Sequence, residues 1–160
     1  VDSPAAHKTY GNVSADRQKE MSGLEFVRGL ADGTLPLNPM AETLGYDIVA
    51  AEPGRVVATA TPAVRHCNPA GTVHGGLAAA MLDSCMGLAI QSTLDKGLAS
   101  TTLEFKISFA RPITPETGII TAEGIVANRG RRIGIAEGRL TDTQGRLLVH
   151  GTTTCLIFEA

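Results

Sequence analysis

Residues 75–94 constrain this chain more than any other stretch. They run Gly-Gly-Leu-Ala-Ala-Ala-Met-Leu-Asp-Ser-Cys-Met-Gly-Leu-Ala-Ile-Gln-Ser-Thr-Leu. Ala, Leu, Met and Ile dominate and β-branched positions are few, so the stretch predicts a helix. Its length raises the question of a membrane span. Asp83, Gln91 and the interspersed Gly and Ser residues argue instead for a buried helix in a soluble domain. The rest of the chain is therefore expected to wrap this helix.

The segment leading into it carries polar chemistry: Asn68-Pro69-Ala70-Gly71-Thr72-Val73-His74-Gly75-Gly76. Asn-Pro followed by Gly is a turn pattern, and proline restricts the residue before it to extended geometry. The first amides of a helix have no partners within it, and the helix dipole adds partial positive charge there. Glycine lets another group approach that backbone closely. The Gly75 amide is thus a candidate donor to an oxygen that develops negative charge. Asp83 lies on the same helix, with Leu82, Met86 and Ile90 on neighbouring helical positions. A buried carboxylate is costly unless paired, and in an apolar pocket it can serve as base or nucleophile. Eight residues separate Gly75 from Asp83, roughly 12 Å along a helix axis. One reacting carbon cannot touch both. If both act together, two antiparallel copies of the helix must share them, which predicts a homodimer with two sites. Taken singly, Asp83 fits a structural carboxylate as well as a catalytic one. His74 alone fits a structural histidine, and Gly75-Gly76 alone fits close helix packing. Their combination in one stretch points to a site.

The flanking segments predict the support. Residues 1–21 are polar without an apolar period and read as a flexible arm, leaving 22–160 as a single domain. Ser22-Gly23-Leu24-Glu25 fits a capping box for a helix over 23–31, and Leu24, Val27 and Leu30 give it an apolar face. Residues 35–40 read as an apolar loop, either a plain connection or a wall for an apolar ligand. Leu37, Met40 and Leu44, with the helix face around Met81 and Met86, are the expected pocket lining. Strands are expected over 44–51 and 55–63, then over 99–109, 118–127, 132–141 and 146–157. Short turns at 128–130 and 143–145 make neighbouring strands antiparallel. The layout is α+β, one long helix wrapped by an antiparallel sheet.

Composition narrows the classes. With 160 residues the chain can bury a real core, built from small aliphatic side chains because Trp is absent and Gly numbers 18. A net charge of −2 and the absence of a basic, aromatic-interleaved patch give no reason to expect nucleic acid as a partner. Cys67, Cys85 and Cys155 are unpatterned, which fits neither a disulfide framework nor a zinc site and leads to the expectation of a reducing cytoplasm. The opening residues show no signal-peptide pattern, and no membrane partner is expected. A cysteine hydrolase using Cys67 with His66 or His74 is conceivable, but Cys67 lacks an evident activating partner.

Asn68-Pro69-x-Gly71-x-x-His74-Gly75-Gly76 followed by Asp83 resembles the signature of hotdog-fold acyl-CoA thioesterases of the PaaI type. The resemblance spans about residues 23–158. It takes in Thr102-Leu103-Glu104-Phe105, Phe109-Ala110-Arg111-Pro112, Gly130-Arg131-Arg132 and Asp142-x-x-Gly145-Arg146-Leu147. It implies a hotdog fold with five to six antiparallel strands around the central helix. It also implies hydrolysis of a medium-chain or aryl acyl-CoA. In that family's terms Asp83 is base or nucleophile, Gly75 the oxyanion donor, and Asn68 an aid to the carbonyl or the water. His74 fixes the loop or lies near the sulfur, and Thr102 orients the water. Gly76, with one or two of Arg111, Arg131 and Arg132, is expected to hold the substrate, since Arg suits the phosphates of coenzyme A. Coenzyme A belongs to the substrate, and no metal or other cofactor is called for. Dimers are expected to pair into tetramers. The rivals are a dehydratase on the same scaffold, whose motif is missing here, and a non-catalytic acyl-CoA-binding protein.

Overall fold

The long helix, α4 (Gly75–Gln91), lies against a six-stranded antiparallel sheet. The computed structural model describes residues 8–160. The strands are β1 (Tyr46–Glu52), β2 (Arg55–Ala60), β3 (Leu98–Phe109), β4 (Ile120–Arg129), β5 (Ile133–Thr141) and β6 (Leu147–Glu159). Their order across the sheet is β1-β2-β4-β5-β6-β3. The short loops at Asn128-Arg129-Gly130 and Thr143-Gln144-Gly145 make β4, β5 and β6 consecutive antiparallel neighbours. β3 pairs only with β6 and forms one edge of the sheet.

Glycines set how close α4 comes. A side-chain carbon at Gly124 would collide with the Cys85–Met86 backbone. At Gly134 it would lie 2.6 Å from Ile90 Cγ2, and at Gly138 2.9 Å from Met86 Sδ. The helix backbone thus rests almost on β4 at Gly124, and its side chains fill the space over β5 at Gly134 and Gly138. Leu77, Ala78, Met81, Leu82, Cys85, Met86, Ala89 and Ile90 are thereby buried. This corrects one expectation. Met81 and Met86 are fully buried core residues and line no pocket. Asp83 sits one face round from Leu82 and Met86 and is half-buried.

The N-terminal region covers one side of α4. α2 (Gly23–Asp32) begins with the expected capping box, Ser22 with Glu25, and ends at Gly33 in the left-handed region. Gly23 abuts the Gln91 carbonyl, where no larger residue fits. The apolar loop folds inward: Leu35 and Leu37 are buried, whereas Met40 is 55% exposed. A short helix, α3 (Pro39–Leu44), follows it where a strand start had been expected at Leu44. Pro at the first helical position and Gly45 past the end account for it. Residues 1–7 of the expected arm lie outside the described residues. From Lys8 onward the segment is docked. Lys8 Nζ donates to the carbonyls of Leu30 and Ile48 and pairs with Asp47. Thr9 and Gly11 bridge to Leu37 through backbone bonds of 2.9 Å. A single-turn helix, α1 (Ala15–Lys19), is capped by Ser14. Among the described residues no helix is long and apolar enough to cross a membrane.

Candidate active site

The loop before α4 is held by its own side chains. Asn68 Oδ1 accepts from the amides of Ala70 and Thr72, and its Nδ2 donates to Thr72 Oγ1 at 2.9 Å. Gly71 turns the chain at φ 86°, a left-handed conformation natural to glycine. His74 is the N-cap residue: the Gly76 N–H donates to its Nδ1 at 2.9 Å. Nδ1 is therefore the unprotonated nitrogen of the neutral ring. The Gly75 N–H meets no acceptor among the described residues. It is a free donor at the positive end of a 17-residue helix. The Phe109 ring closes over it, and a side-chain carbon at Gly75 would lie 2.7 Å from Phe109 Cζ. Gly75 opens onto a cavity of about 350 Å³ with Thr72, Val73, Phe109, Arg111 and Ile113. Arg111 Nη1 donates to the Leu147 carbonyl at 2.7 Å.

Asp83 opens onto a different cavity, of about 520 Å³. Its Oδ1 accepts a 2.9 Å bond from Thr102 Oγ1 on β3, which leaves Oδ2 free to accept a proton. Thr102 thus holds the carboxylate itself. Cys155 Sγ lies 3.8 Å from Thr102 Oγ1. Burial pushes the Cys155 thiol up, and the Asp83 charge adds to this against hydrogen bonds with Thr102 and Thr153. Further along the helix, Gln91 Oε1 accepts from Ser100 N–H and Oγ. Both contacts, Asp83 with Thr102 and Gln91 with Ser100, lie on the cavity lining. Its opposite wall comes from Gly11, Val13, Phe26, Leu30, Pro36 and Asn38. Asn38, the Tyr46 hydroxyl and Ser84 form a hydrogen-bonded chain at the Asp83 end.

Within one chain the structure therefore brings Asn68, His74, Gly75, Gly76 and Arg111 to one end of α4, and Asp83 with Thr102 to its middle. Arg131 and Arg132 are exposed in the β4–β5 turn, where the Arg132 backbone carbonyl accepts from the Ile157 amide, and they line neither cavity. Asp142 shapes a turn: it accepts from the amides of Gln144 and Arg146 and pairs with Arg146 Nε at 2.7 Å. The cysteine alternative loses one of its two candidate bases, His66. His66 Nδ1 accepts from the Ala63 amide and Nε2 bonds the Leu44 carbonyl, so both nitrogens are engaged. Cys85 is buried and pushed up to about 12. The wall from residues 11–13, the Asn38–Tyr46–Ser84 chain and the Gln91–Ser100 pair were not anticipated. They join segments distant in sequence and carry no local signal.

A model of the thioesterase superfamily matches residues 70–149, half of the chain. The chain belongs to the thioesterase superfamily. The match contains the Gly75 turn, Asp83, Thr102 and Arg111. Acyl-coenzyme A thioesterase 13 of Mus musculus is 29% identical over 109 residues, covering 67% of this chain and 76% of that protein. A phenylacetic acid degradation-related protein from Ralstonia eutropha JMP134 superposes with a TM-score of 0.73 at 29% identity, over 82% of this thioesterase and 98% of that chain. The E. coli PaaI protein from the phenylacetic acid degradation operon gives 0.72 at 21% identity, over 92% and 98%. The latter shows the fold alone. The wrapped-helix architecture is the hotdog fold, with the upper of the two expected strand counts.

Proposed function

We propose that this thioesterase hydrolyses acyl-CoA thioesters, with medium-chain or aryl acyl groups, as a homodimer with two shared sites. The observation that carries the reading is the division of one machinery along one helix. A free Gly75 N–H and a Thr102-held Asp83 carboxylate open onto separate cavities, roughly 12 Å apart along α4. An antiparallel pair of α4 helices sets each Asp83 beside Gly75 of the partner subunit. The free edge of β3 supports that pairing. It is 12 residues long, and Leu103 and Phe109 on it are 56% and 54% exposed. Long uncovered edges with apolar side chains are sites of association. Ile125, Ile133, Ile135 and Phe158 are exposed on strands of the same sheet. They support a second contact that pairs dimers into a tetramer.

In this reading the thioester carbonyl oxygen accepts from Gly75 N–H. Water attacks the carbonyl carbon while Asp83 Oδ2 takes its proton. The tetrahedral intermediate then expels the CoA sulfur, which receives that proton. Asp83 can alternatively attack the carbon itself, and water then cleaves the mixed anhydride. Asn68 and His74 hold the loop that aims Gly75, and Gly76 gives the thioester room. Arg111 stands beside Gly75 with guanidinium donors to spare for a phosphate. Arg131 and Arg132, exposed in the β4–β5 turn, are the further candidates for phosphate contacts.

A panel of acyl-CoAs from acetyl to long-chain, with phenylacetyl and hydroxybenzoyl, tests the reading by thiol release. Asp83→Asn is expected to lower kcat about 1,000-fold while the protein stays folded and dimeric. Tight binding of acyl-CoA without thiol release by the wild type would give first place to an acyl-CoA-binding protein. Single-turnover hydrolysis in isotopically labelled water separates the two roles of Asp83. Label enters the product directly if it is a base, and enters Asp83 first if it is the nucleophile.

A further inference from the structure

The Asp83 cavity carries a polar group that this mechanism does not use. Ser100 N–H can only donate, so the atom of Gln91 that it meets at 3.1 Å is the carboxamide oxygen. Ser100 Oγ donates to the same oxygen at 3.0 Å. These two bonds fix the side chain's orientation. The Nε2 amino group, on the other branch, meets no acceptor among the described residues, and Gln91 lines the cavity. The cavity lining combines apolar Val13, Phe26, Leu30 and Leu88 with polar Asn12, Gln18 and Thr101. Asp83 lies eight residues before Gln91, about two helical turns. Asp83 and Gln91 thus line one cavity roughly 12 Å apart along α4. No Lys, Arg or His lines it among the described residues, and Asp83 is its one carboxylate.

We infer that Gln91, oriented by Ser100, is a specificity-determining residue that selects acyl groups bearing a neutral oxygen, hydroxyl or keto, remote from the thioester. The inference rests on the thioesterase reading and names the acyl class within it. A plain alkyl end offers the Gln91 amino group no acceptor in place of the water it displaces. A terminal carboxylate finds no cation and is repelled by Asp83. A neutral oxygen satisfies the donor without either penalty.

The test compares plain, ω-hydroxy and ω-carboxy acyl-CoAs of hexanoyl to decanoyl length. It measures kcat/KM for the wild type and calorimetric binding to Asp83→Asn. The expected result is a preference for the ω-hydroxy compound at one length, on the order of tenfold over the plain chain, with the ω-carboxy compound poorest. Gln91→Leu is expected to abolish that preference while retaining hydrolysis of plain chains. Gln91→Glu keeps an acceptor for Ser100, so it preserves the local bonds while removing the amino donor. It is expected to abolish the preference too. Equal or better use of plain chains by the wild type overturns the inference, as does a preference that survives both substitutions. If no compound is hydrolysed, the thioesterase reading fails. The binding preference, and its loss when either substitution is added to Asp83→Asn, still decides the role of Gln91.

Discussion

The two halves of the site are built in opposite ways. The loop at the Gly75 end is assembled from neighbours: its own side-chain bonds link Asn68 to residues no further than Thr72, and His74 to Gly76, with Phe109 and Arg111 added from β3 and beyond. The Asp83 cavity is assembled from strangers. Thr102 is 19 residues from Asp83, Tyr46 is 38 from Ser84, and the cavity wall begins at Gly11. The loop of the first half is a local motif. The second depends on how the entire domain packs. Substitutions in the first should therefore change rate for every substrate, and those in the second should also change which substrate is used.

The largest effect that would sharpen this contrast is expected at Gly75. Gly75→Ala keeps the N–H but drives a methyl into Phe109, moving donor and ring apart. Hydrolysis should fall about 100-fold for all acyl groups alike, since a small misplacement carries that cost. Gly75→Ala with Phe109→Ala should recover most of the rate, because the obstacle is the ring rather than the backbone. Failure to recover would show that Gly75 is needed for its conformation. A smaller effect is expected at Thr102. Thr102→Val removes the bond that fixes Asp83 Oδ1 and should lower kcat about tenfold, unequally across acyl lengths. A uniform loss would break the contrast. The smallest effect is expected outside both halves. Burial raises the Asp142 carboxyl, but bonds from Arg146 and Gln144 outweigh it and hold the carboxyl below its ordinary range. Its stabilising contribution is thus present above the ordinary carboxylate pKa and lost as pH falls through the lowered value. Asp142→Asn should flatten the acid limb of a Tm-against-pH curve while leaving kcat at neutral pH unchanged. A change in kcat would tie this turn to the site.

The same contrast explains what the sequence disclosed. A helix N-terminus, its glycines and its capping residues sit within ten positions, so their chemistry can be read in order along the chain. The wrapped-helix layout was legible for a related reason. A helix this apolar must be enclosed, and the short turns after it make antiparallel strands. The pocket was misjudged at Met81 and Met86 because helical spacing alone does not tell which face meets the sheet. Gly124, Gly134 and Gly138 decide that, from strands forty or more residues away. The docking of residues 8–21 was likewise invisible, since Lys8 finds its partners on α2 and β1 only after folding. Ser22 and Glu25 lie three residues apart, and their capping box was predicted to the residue.

The bare strands beneath α4 also bear on how this protein can be improved. Replacing glycine by alanine is a common way to raise thermal tolerance, because it narrows the unfolded ensemble. At Gly124, Gly134 and Gly138 that route is obstructed, since an added methyl would meet the helix backbone at the first and packed core side chains at the other two. Asp83 rides on that helix and Thr102 does not. The height of α4 above the strands is therefore a tolerance in the machining sense: a few tenths of an ångström spent there would come out of the carboxylate's alignment. Engineering for robustness belongs on the periphery, and the glycine bed should be left alone.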